Sequence, residues 1–445
     1  TVDGTNSGAD LLALSCCNKI DTSLSIVGTN LTDLGDLSHI QEVTGRLEIG
    51  DNQSLSSIAG LSGLNQPTSL VISNNPSLDN LQGLQNLTIL TELTLDTNGL
   101  DNLNGLDSLV NVTQDLTING NYLLRSLGDG LLSSGLSNLN YIGGNLTLLL
   151  NSDLDSVEAL SQLATVEGDL TISDNDALND LGDGSSSGLS NLAVVGANLQ
   201  VSDNYELDHI DGLNHLNALS GNLIIRGNPE LLDINGLYGH DVVHGDLIID
   251  DNDDLDNLDS LQSIQTVHGS LEIIDNDNLR YLSELDGITT LGGSLRIEEN
   301  ADLSSLINVN SLIPLALATV PGDLIIHNND NLLGLEGLES LVEVGGSLTI
   351  SDNNGLTDLY GIGDGSNSAS AVPPLDIGGT LDISRNSALT TIGDICYATN
   401  SIGGDLIIHD NDMLSSVAPI ANIGGVMPGV PIPITGQIQI TNNSN

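Results

Sequence analysis

The chain of 445 residues has no phenylalanine, no tryptophan and only two methionines, and aromatic residues make up 2% of it. Its core must therefore be filled by leucine, isoleucine and valine, and we expect a narrow, uniform interior. No segment approaches the roughly 18 consecutive apolar residues of a membrane-spanning helix. We therefore expect no direct insertion into a membrane.

Basic residues are almost as scarce as aromatic ones. Lysine and arginine number 7 against 60 aspartates and glutamates, and the formal net charge is −53 at pH 7. Because nucleic acids and anionic membrane surfaces bind basic patches, this composition excludes both as partners. An acidic surface of this kind favours solubility in salty surroundings, and it also suits the binding of divalent cations.

One pattern recurs along most of the chain. Its clearest copy, from Gly168 to Leu181, is Gly-x-Leu-x-Ile-x-x-Asn-x-x-Leu-x-x-Leu. Equivalent leucines stand 23 or 24 residues apart, as Leu47 and Leu70 or Leu146 and Leu170 do. The Leu-x-Ile alternation predicts a short strand with one buried face. A fixed period of this length predicts a solenoid.

Each copy carries one asparagine at the same place. A buried asparagine is tolerated only when its amide donors and acceptor are satisfied, so stacked asparagines should bond the backbone of the neighbouring rung. We predict a structural ladder and no catalytic role for this column. Its members are Asn52, Asn75, Asn98, Asn121, Asn151, Asn175, Asn204, Asn228, Asn252, Asn276, Asn300, Asn329, Asn353, Asn386, Asn411 and Asn443.

The copies from Val166 to Leu181 and from Val344 to Leu359 resemble leucine-rich repeats and are similar to the repeats of receptor L domains. The resemblance extends from about Leu24 to Asn443. It implies a β-rich, right-handed solenoid of about 16–17 rungs of 23–24 residues, with an asparagine ladder and a single parallel sheet. It is weak evidence for function, because solenoids of this kind have many roles.

We predict that residues 1–20 form an N-terminal cap or assembly segment and that 21–445 form a single continuous solenoid. Insertions in solenoids map to one face, often the contact face, although surface loops also tolerate insertion freely. Three of the insertions contain Gly-Asp-Gly, at 128–130, 182–184 and 363–365. Longer loops are expected near 127–143, 181–196, 306–321, 359–378 and 417–435.

Acidic residues flank the ladder in consecutive rungs. Asp251, Asp275 and Glu299 should stack at strand spacing, with Asp253 and Asp277 beside them. Like charges at that distance repel by about 1 kcal/mol even in water. Bound calcium would relieve the repulsion, and mobile salt would do so as well. We expect no required cofactor, with Ca²⁺ as the candidate ion.

Histidines suggest a second metal hypothesis. His244 and His268 occupy equivalent places in consecutive rungs, and His240 precedes the first of them. Zinc needs a third or fourth ligand, and no cysteine lies nearby in the sequence. We therefore favour the interpretation that these histidines are ordinary exposed polar residues.

The outward position of the strand, between its leucine and isoleucine, carries threonines in some copies and isoleucines in others. Exposed aliphatic residues on a charged surface indicate contact with another chain. Ordinary β-propensity is the alternative explanation. The interface candidates are Ile224, Ile248, Ile325 and Ile407.

Several features suggest a secreted, cell-surface protein. The sequence starts at Thr1 without a methionine, as a processed product would, and it contains Asn-x-Ser/Thr sequons. The sequon at Asn52 falls in the ladder and is an unsuitable acceptor. The glycosylation candidates are Asn30, Asn86, Asn111 and Asn145.

Three cysteines are present. Cys16 and Cys17 precede the first repeat, whereas Cys396 follows it by about fifteen rungs, or roughly 70 Å at strand spacing. A disulfide requires Cα atoms within about 7 Å. We therefore predict that Cys396 is a free thiol or is bonded to another molecule, with Cys16 and Cys17 of a neighbour as the candidate partners.

No Ser-His-Asp or Cys-His constellation and no phosphate loop is evident, so we predict that the chain is not an enzyme. The last copy, from Gly436 to Asn443, has no second half. We therefore predict a non-enzymatic extracellular structural protein, a subunit that assembles head to tail with itself into a filament or surface layer. The first alternative is a cell-surface adhesion or ligand-binding solenoid for glycans or proteins, aided by cations. The second is a β-solenoid enzyme acting on polysaccharides.

Overall fold

The computed structural model describes most of the chain. Four of the five predicted loops include residues outside the described part, and only the loop near 181–196 is described throughout. The described residues are 1–3, 13–14, 17–65, 67–128, 134–307, 317–362, 374–424 and 433–443.

The chain divides into two compact units. Unit 1 comprises residues 1–220 and 235–237, and unit 2 comprises 221–234 and 238–445. Both are built from the same repeat. The prediction of one continuous domain from 21 to 445 stays a prediction.

The main sheet of unit 1 is parallel, and consecutive repeats pair with leucine opposite leucine. Its strands are β1 (Val2–Asp3), β3 (Leu24–Val27), β5 (Arg46–Gly50), β6 (Ser69–Ser73), β8 (Glu92–Asp96), β10 (Leu116–Asn119), β12 (Leu146–Leu149), β14 (Leu170–Ser173) and β16 (Leu199–Ser202).

The main sheet of unit 2 has the same parallel pairing and the same register. Its strands are β18 (Leu223–Arg226), β20 (Leu247–Asp250), β22 (Leu271–Ile274), β24 (Leu295–Glu298), β26 (Leu324–His327), β28 (Leu348–Ser351), β30 (Leu381–Ser384), β32 (Leu406–His409) and β33 (Ile438–Thr441).

Shorter parallel strands precede the main strands and form a second row of ladders, which the sequence pattern did not predict. In unit 1 they are β2 (Lys19–Ile20), β4 (Glu42–Val43), β7 (Ile89–Leu90), β9 (Asn111–Val112), β11 (Tyr141–Ile142), β13 (Thr165–Val166), β15 (Val194–Val195) and β17 (Ala218–Leu219). In unit 2 they are β19 (Val242–Val243), β21 (Thr266–Val267), β23 (Thr290–Leu291), β25 (Thr319–Val320), β27 (Glu343–Val344), β29 (Leu375–Ile377) and β31 (Thr399–Ile402).

Helical turns complete several repeats, and most are single turns of 3₁₀ helix. They are η1 (Gly35–Leu37), η2 (Ala59–Leu61), η3 (Glu158–Leu160), η4 (Asp211–Leu213), η5 (Asn235–Leu237), η6 (Asp259–Ser263), η7 (Ser283–Gly287) and η8 (Ala418–Asn422). An α-helix, α1, spans Gly393–Ala398.

The core is aliphatic, as the composition predicts. In the repeat of β14, Leu170, Ile172, Leu178 and Leu181 are all 0% exposed. Successive strand residues point to opposite faces, so the leucine and isoleucine of each strand enter the core and the residues between them face outward. The predicted fold, a repeat solenoid with a parallel main sheet, is confirmed.

The asparagine ladder is also confirmed. The Oδ1 of Asn175 accepts hydrogen bonds from the backbone N–H and the Nδ2 of Asn151, both at 3.2 Å. Its own Nδ2 donates to the carbonyls of Leu148 and Ser173 at 3.1 and 3.0 Å. The first place in the ladder is taken by Thr29, whose Oγ1 donates to Asn52 Oδ1 at 2.7 Å. The sequence pattern missed this threonine because it sought asparagine only.

A sharp corner precedes each ladder residue, where the backbone adopts a left-handed conformation. Aspartate, asparagine and glycine tolerate this conformation better than other residues do. The corner therefore gives a structural reason for much of the acidic column. The non-glycine residues at the corner are Asp51, Asn74, Thr97, Leu150, Asp174, Asp203, Asp251, Asp275, Glu299, Asn328, Asp352, Arg385, Asp410 and Asn442, with φ between 53° and 60°.

A second ladder lies at the other end of the strand, immediately before its leucine. Here a side-chain oxygen of one rung accepts the backbone N–H of the equivalent residue in the next rung. Asp246 Oδ1, for example, accepts from Ser270 N at 2.7 Å, and Ser270 Oγ accepts from Ser294 N at 3.1 Å. Other acceptors of this kind are Asp115, Asn145, Asp169, Asn222, Ser294, Asp323, Ser347, Thr380 and Asp405.

The first strand of unit 1 comes from the N-terminal segment. β1 pairs with β3, with Val2 opposite Ile26, and Val2 is 0% exposed. This edge of the sheet is therefore already paired within its own chain. Whether residues 1–20 form a cap or an assembly segment stays a prediction.

Candidate functional site

The outward face of the main sheet in unit 2, which we call the strand face of unit 2, carries two columns in register. The first column follows each strand leucine, and the second follows each strand isoleucine. The first column is Ile224, Ile248, Glu272, Arg296, Ile325, Thr349, Asp382, Ile407 and Gln439. The second is Arg226, Asp250, Ile274, Glu298, His327, Ser351, Ser384, His409 and Thr441.

Ion pairs link neighbouring strands across this face. Arg296 Nε contacts Glu298 Oε1 at 2.7 Å, and its Nη1 contacts Glu272 Oε2 at 3.5 Å. Arg226 Nε contacts Asp250 Oδ2 at 3.1 Å. Glu298 is only 9% exposed. The arginines therefore neutralise carboxylates that are partly withdrawn from water.

A second network lies further along the face. The Nε and Nη2 of Arg385 donate to both carboxylate oxygens of Asp352, at 2.7 to 3.0 Å. These hydrogen bonds hold the pKa of Asp352 below its usual range. The Nδ1 of His409 contacts Asp410 at 2.7 Å, and that hydrogen bond likewise lowers the pKa of Asp410.

His327 brings a histidine, a serine and an aspartate together, but not in catalytic geometry. Its Nδ1 lies 3.0 Å from Ser351 Oγ and 3.3 Å from Asp352 Oδ2. A catalytic triad uses one ring nitrogen for the nucleophile and the other for the carboxylate. Here one nitrogen faces both groups, so this arrangement does not activate the serine.

The four candidate interface isoleucines lie on this face but do not form one stripe. Ile224 and Ile248 are adjacent in register, whereas Glu272 and Arg296 separate them from Ile325. Thr349 and Asp382 then separate Ile325 from Ile407. All four isoleucines are half-buried rather than fully exposed. The face is therefore a mixture of apolar and charged groups.

The predicted calcium ligands lie at the corners beside this face. Burial raises the pKa of Asp275, with further contributions from Asp251, Asp277 and Glu299. Burial and then the charges of Asp277 and Asp251 raise the pKa of Asp253. Within the described parts of the chain, no group of three or more His, Cys, Asp or Glu side chains is arranged to hold a metal ion.

The candidate zinc histidines are neighbours. The rings of His244 and His268 meet edge to face, with centroids 5.3 Å apart and planes at 67°. His240 is buried at 5% exposure. Since the described residues bring no third metal-ligating side chain to these rings, the histidines pack against one another without forming a zinc site.

One Gly-Asp-Gly insertion is described, at 182–184. Asp183 Oδ1 accepts the backbone N–H groups of Ser185, Ser186 and Ser187 at 2.8 to 3.1 Å. These hydrogen bonds strongly lower the pKa of Asp183. The carboxylate thus stabilises the conformation of the loop that contains it. The corresponding Asp129 and Asp364 lie outside the described residues.

Cys396 lies in α1 and is 2% exposed. Burial raises the pKa of its thiol to about 12, and the charge of Asp394 adds to the effect. A buried, protonated thiol is a poor nucleophile for disulfide exchange. Cys396 is a free thiol in this structure, which is one of its two predicted states, and its bond to another molecule stays a prediction that requires the side chain to become exposed. Cys17 is half-buried, and Cys16 lies outside the described residues.

All four glycosylation candidates lie in unit 1. Asn30, Asn86 and Asn145 are exposed, whereas Asn111 is half-buried in β9. The Nδ2 of Asn86 donates to Ser62 O at 2.8 Å, and Asn145 Oδ1 accepts from Asp169 N at 2.8 Å. Glycosylation at these positions stays a prediction.

One comparison with known proteins agrees with this architecture over part of the chain. A family model described as Receptor L domain matches residues 241–333 and 265–361, which contain β20 to β28. The chain is a repeat solenoid, and its residues 241–361 are similar to the Receptor L domain family. None of the described helices of this solenoid is long and apolar enough to span a membrane.

Other comparisons add little about function. No curated protein matches the chain. Among solved structures, the solenoid is similar to that of a TLR13–ssRNA13 complex, with 18% sequence identity and a TM-score of 0.31. The match covers 93% of this chain and 71% of the other. At that level of similarity, the ligand of the other protein says nothing about this one.

Proposed function

We propose that the chain is a non-enzymatic extracellular recognition protein and that the strand face of unit 2 binds a protein partner. The observation that carries this proposal is the mixture of isoleucines and arginine–carboxylate pairs in register on that face. Arginine is among the residue types that dominate binding energy at protein interfaces, and apolar side chains contribute when a partner removes them from water. The acidic excess around them favours a partner with basic side chains.

Two further observations support this proposal. Three of the seven basic residues of the chain, Arg226, Arg296 and Arg385, lie on or beside this one face. The match to the Receptor L domain model also covers part of it. The lack of an activating geometry around His327 weighs against an enzyme. The proposal includes secretion of the protein and glycosylation of its unit 1.

Paired variants test the binding face. A partner identified from the secreted or cell-surface proteins of the source organism would be titrated against the wild type and Arg296→Glu/Ile325→Asp. We expect at least tenfold weaker binding from the loss of a central arginine and an apolar anchor. The control is Thr117→Glu/Thr147→Asp on unit 1, which should bind like the wild type. Equal loss in both variants, or in neither, would reject this face.

Head-to-tail assembly is the second candidate. All four residues of β33 are exposed, and Ile438 and Ile440 are 49% and 38% exposed. An uncovered apolar strand is a template for pairing with another chain. Because β1 already pairs with β3 in its own chain, the incoming strand would meet β1 rather than replace it.

Sedimentation velocity over a concentration series and electron microscopy test this assembly. The wild type should form oligomers that Ile438→Asp/Ile440→Asp abolishes, and single particles at high concentration would reject the filament. Non-reducing electrophoresis of the same samples reports on a covalent form. Because Cys396 is buried, we expect no disulfide ladder from native protein.

A further inference from the structure

The short strands of unit 1 present an outward face without charge. β7, β9, β11, β13, β15 and β17 form one parallel sheet, in which the first residue of each strand faces outward and the second is buried. We call this outward column, together with the residue before each member, the short-strand face of unit 1. None of its residues is charged, although the chain carries 60 acidic residues. The column contains Ile89, Asn111, Tyr141, Thr165, Val194 and Ala218 in register.

Part of this face is apolar and open to solvent. Ile89 is 54% exposed and Val110 is 39% exposed, and Tyr141 is half-buried. The short strands of unit 2, in contrast, place Glu343 opposite Asp376 in the outward column. Apolar side chains that cluster on an otherwise charged surface indicate a site that another group covers.

The face is too small for a stable protein interface. Six strands about 4.8 Å apart, with an outward strip about 10 Å wide, cover roughly 250 Å². A stable interface buries about 800 Å² on each partner. A second copy of the chain would also bring its own net charge of −53 toward the first. The covering group is therefore smaller than a protein, and it needs an anchor on this chain.

Asn111 supplies such an anchor in the middle of the apolar patch. It begins the sequon Asn111-Val112-Thr113, and its register partners are Ile89 on one side and Tyr141 on the other. Because Val112 is buried, the side chain of Asn111 points to the outward side. A sugar on this asparagine would lie directly against the exposed apolar groups.

The other glycosylation candidates lie elsewhere. The Nδ2 of Asn86, the atom that would carry a sugar, donates to Ser62 O at 2.8 Å. Asn145 belongs to the second ladder, where its Oδ1 accepts a backbone N–H. Asn30 follows Thr29 at the start of the asparagine ladder. None of the three is a member of the short-strand face of unit 1.

We infer that Asn111 carries an N-linked glycan whose first sugars pack on Ile89 and Tyr141. This inference rests on the secretion and glycosylation of unit 1 proposed above. In the transfer, Asn111 Nδ2 bonds to C1 of the first sugar of a lipid-linked oligosaccharide, the bond from C1 to the lipid pyrophosphate breaks, and the amide gives up one proton. The transfer has to precede folding, because Asn111 is half-buried in β9.

The contact is favourable because a pyranose ring has an apolar side of C–H groups. Packing that side on aliphatic and aromatic side chains removes apolar surface from water. Since the glycan is tethered within the patch, its effective concentration there is high, and a small contact suffices. A groove of about 320 Å³ beside Ile89 gives room for further sugars. Its other lining residues are Glu42, Thr44, Asn65, Pro67, Thr68 and Thr88.

Hydrogen–deuterium exchange on the full chain, secreted from a eukaryotic host, tests this contact. Thr113→Ala removes the sequon but keeps Asn111. In peptides covering residues 87–95 and 136–143, which contain no sequon asparagine, this variant should exchange at least about threefold faster than the wild type. Thr113→Ser keeps the sequon and should exchange like the wild type. The control Asn30→Gln removes another sequon and should also exchange like the wild type. Glycopeptide mass spectrometry reports the occupancy of each sequon in the same samples.

A further variant separates packing from occupancy. Ile89→Ser/Val110→Ser keeps the sequon and removes two apolar side chains that are exposed, so the fold should be kept. Adding Thr113→Ala to this variant should no longer change the exchange rate, because the glycan has lost its contact surface.

Four outcomes would overturn the inference. An unoccupied Asn111 beside occupied sequons would leave the proposed glycosylation of unit 1 intact, whereas a chain without any occupied sequon would overturn both. Equal exchange in Thr113→Ala and in a wild type occupied at Asn111 would show that the glycan extends into solvent. Dimers of both proteins in sedimentation velocity, abolished by Ile89→Ser/Val110→Ser, would show that a second copy covers the face. Partner binding by unit 2 is measured with other variants and is independent of these results.

Discussion

The two units present the same strand face with different side chains. In unit 1 the first column contains a run of threonines, Thr94, Thr117, Thr147 and Thr171, and Glu48 is its one carboxylate. In unit 2 the equivalent column mixes isoleucines with charged residues. Backbone, register and core are alike in both units. The comparison shows that the solenoid tolerates either surface, so the charged face of unit 2 is not required by the fold.

Substitution of a ladder asparagine should have the largest effect on stability, and it tests a feature that both units share. Asn276→Ala in unit 2 would remove the side-chain acceptor of Asn252 N and Nδ2, and one donor to each of the carbonyls of Ile249 and Ile274. Asn175→Ala in unit 1 would remove the same set of bonds. We expect each variant to lose about 2–5 kcal/mol of local stability.

Native-state hydrogen exchange measures this loss in each unit separately. The two variants should agree within about 1 kcal/mol, since the ladder is the same in both units. A loss confined to one unit would show that the ladder is not equally important in both.

Substitution in the arginine network should have the next largest effect on stability, and it tests a feature in which the two units differ. Arg296→Met keeps an apolar stem but leaves Glu298 and Glu272 without a cation. We expect a loss of about 1–3 kcal/mol from a nearly buried carboxylate without a partner. The matched change in unit 1, Thr147→Ala, should stay within about 0.5 kcal/mol.

Adding Glu298→Gln to Arg296→Met separates charge from packing. The double variant should recover most of the loss in chemical denaturation, because no unpaired charge remains near the core. If it does not recover, the arginine contributes through its stem and not through its guanidinium.

The smallest expected effect is the dependence of the stability of unit 2 on pH. Asp275 and Asp352 occupy equivalent corners of unit 2, but burial raises the pKa of Asp275 and Arg385 lowers that of Asp352. A raised folded pKa adds stability as pH falls through it, until the unfolded pKa near 3.9 is passed. A lowered folded pKa gives stability above the unfolded pKa that is lost as pH falls through the folded value.

Asp275→Asn should therefore stabilise unit 2 at pH 7, and Asp352→Asn should destabilise it. Both side chains are partly exposed, so each effect should remain below about 1 kcal/mol after screening. Local exchange rates should show the Asp275 effect shrinking as pH falls from 7 to 4, whereas the Asp352 effect should persist to about pH 4 and shrink below it. Shifts of the same sign would contradict the assigned causes.

The sequence predicted the repeat, the aliphatic core and the asparagine ladder because each depends on one residue type at a fixed spacing. The second ladder was missed because its column mixes aspartate, asparagine, serine and threonine. These residues share only an oxygen acceptor, as Asp246 and Ser270 do. The common property is chemical, and a search for identical letters does not find it.

The candidate site was less predictable. The isoleucines of unit 2 were visible in the sequence, but the contacts of Arg296 depend on which strands are neighbours. Insertions of variable length obscure that register in the sequence. Similarly, Cys396 is buried together with Ile395 and Ala398 of helix α1, and the repeat pattern does not encode this helix.

The second ladder also bears on how such a chain can change its length. Many rungs offer a side-chain oxygen at both ends of the strand and receive a backbone donor from the neighbouring rung, so one such rung can follow another without adjustment. Duplication or deletion of one such repeat in the gene leaves these acceptors matched. A gain or loss of a single residue within a strand would instead misplace both ladders at once. Evolution can therefore extend this protein repeat by repeat, while sequence variation accumulates on the outward columns.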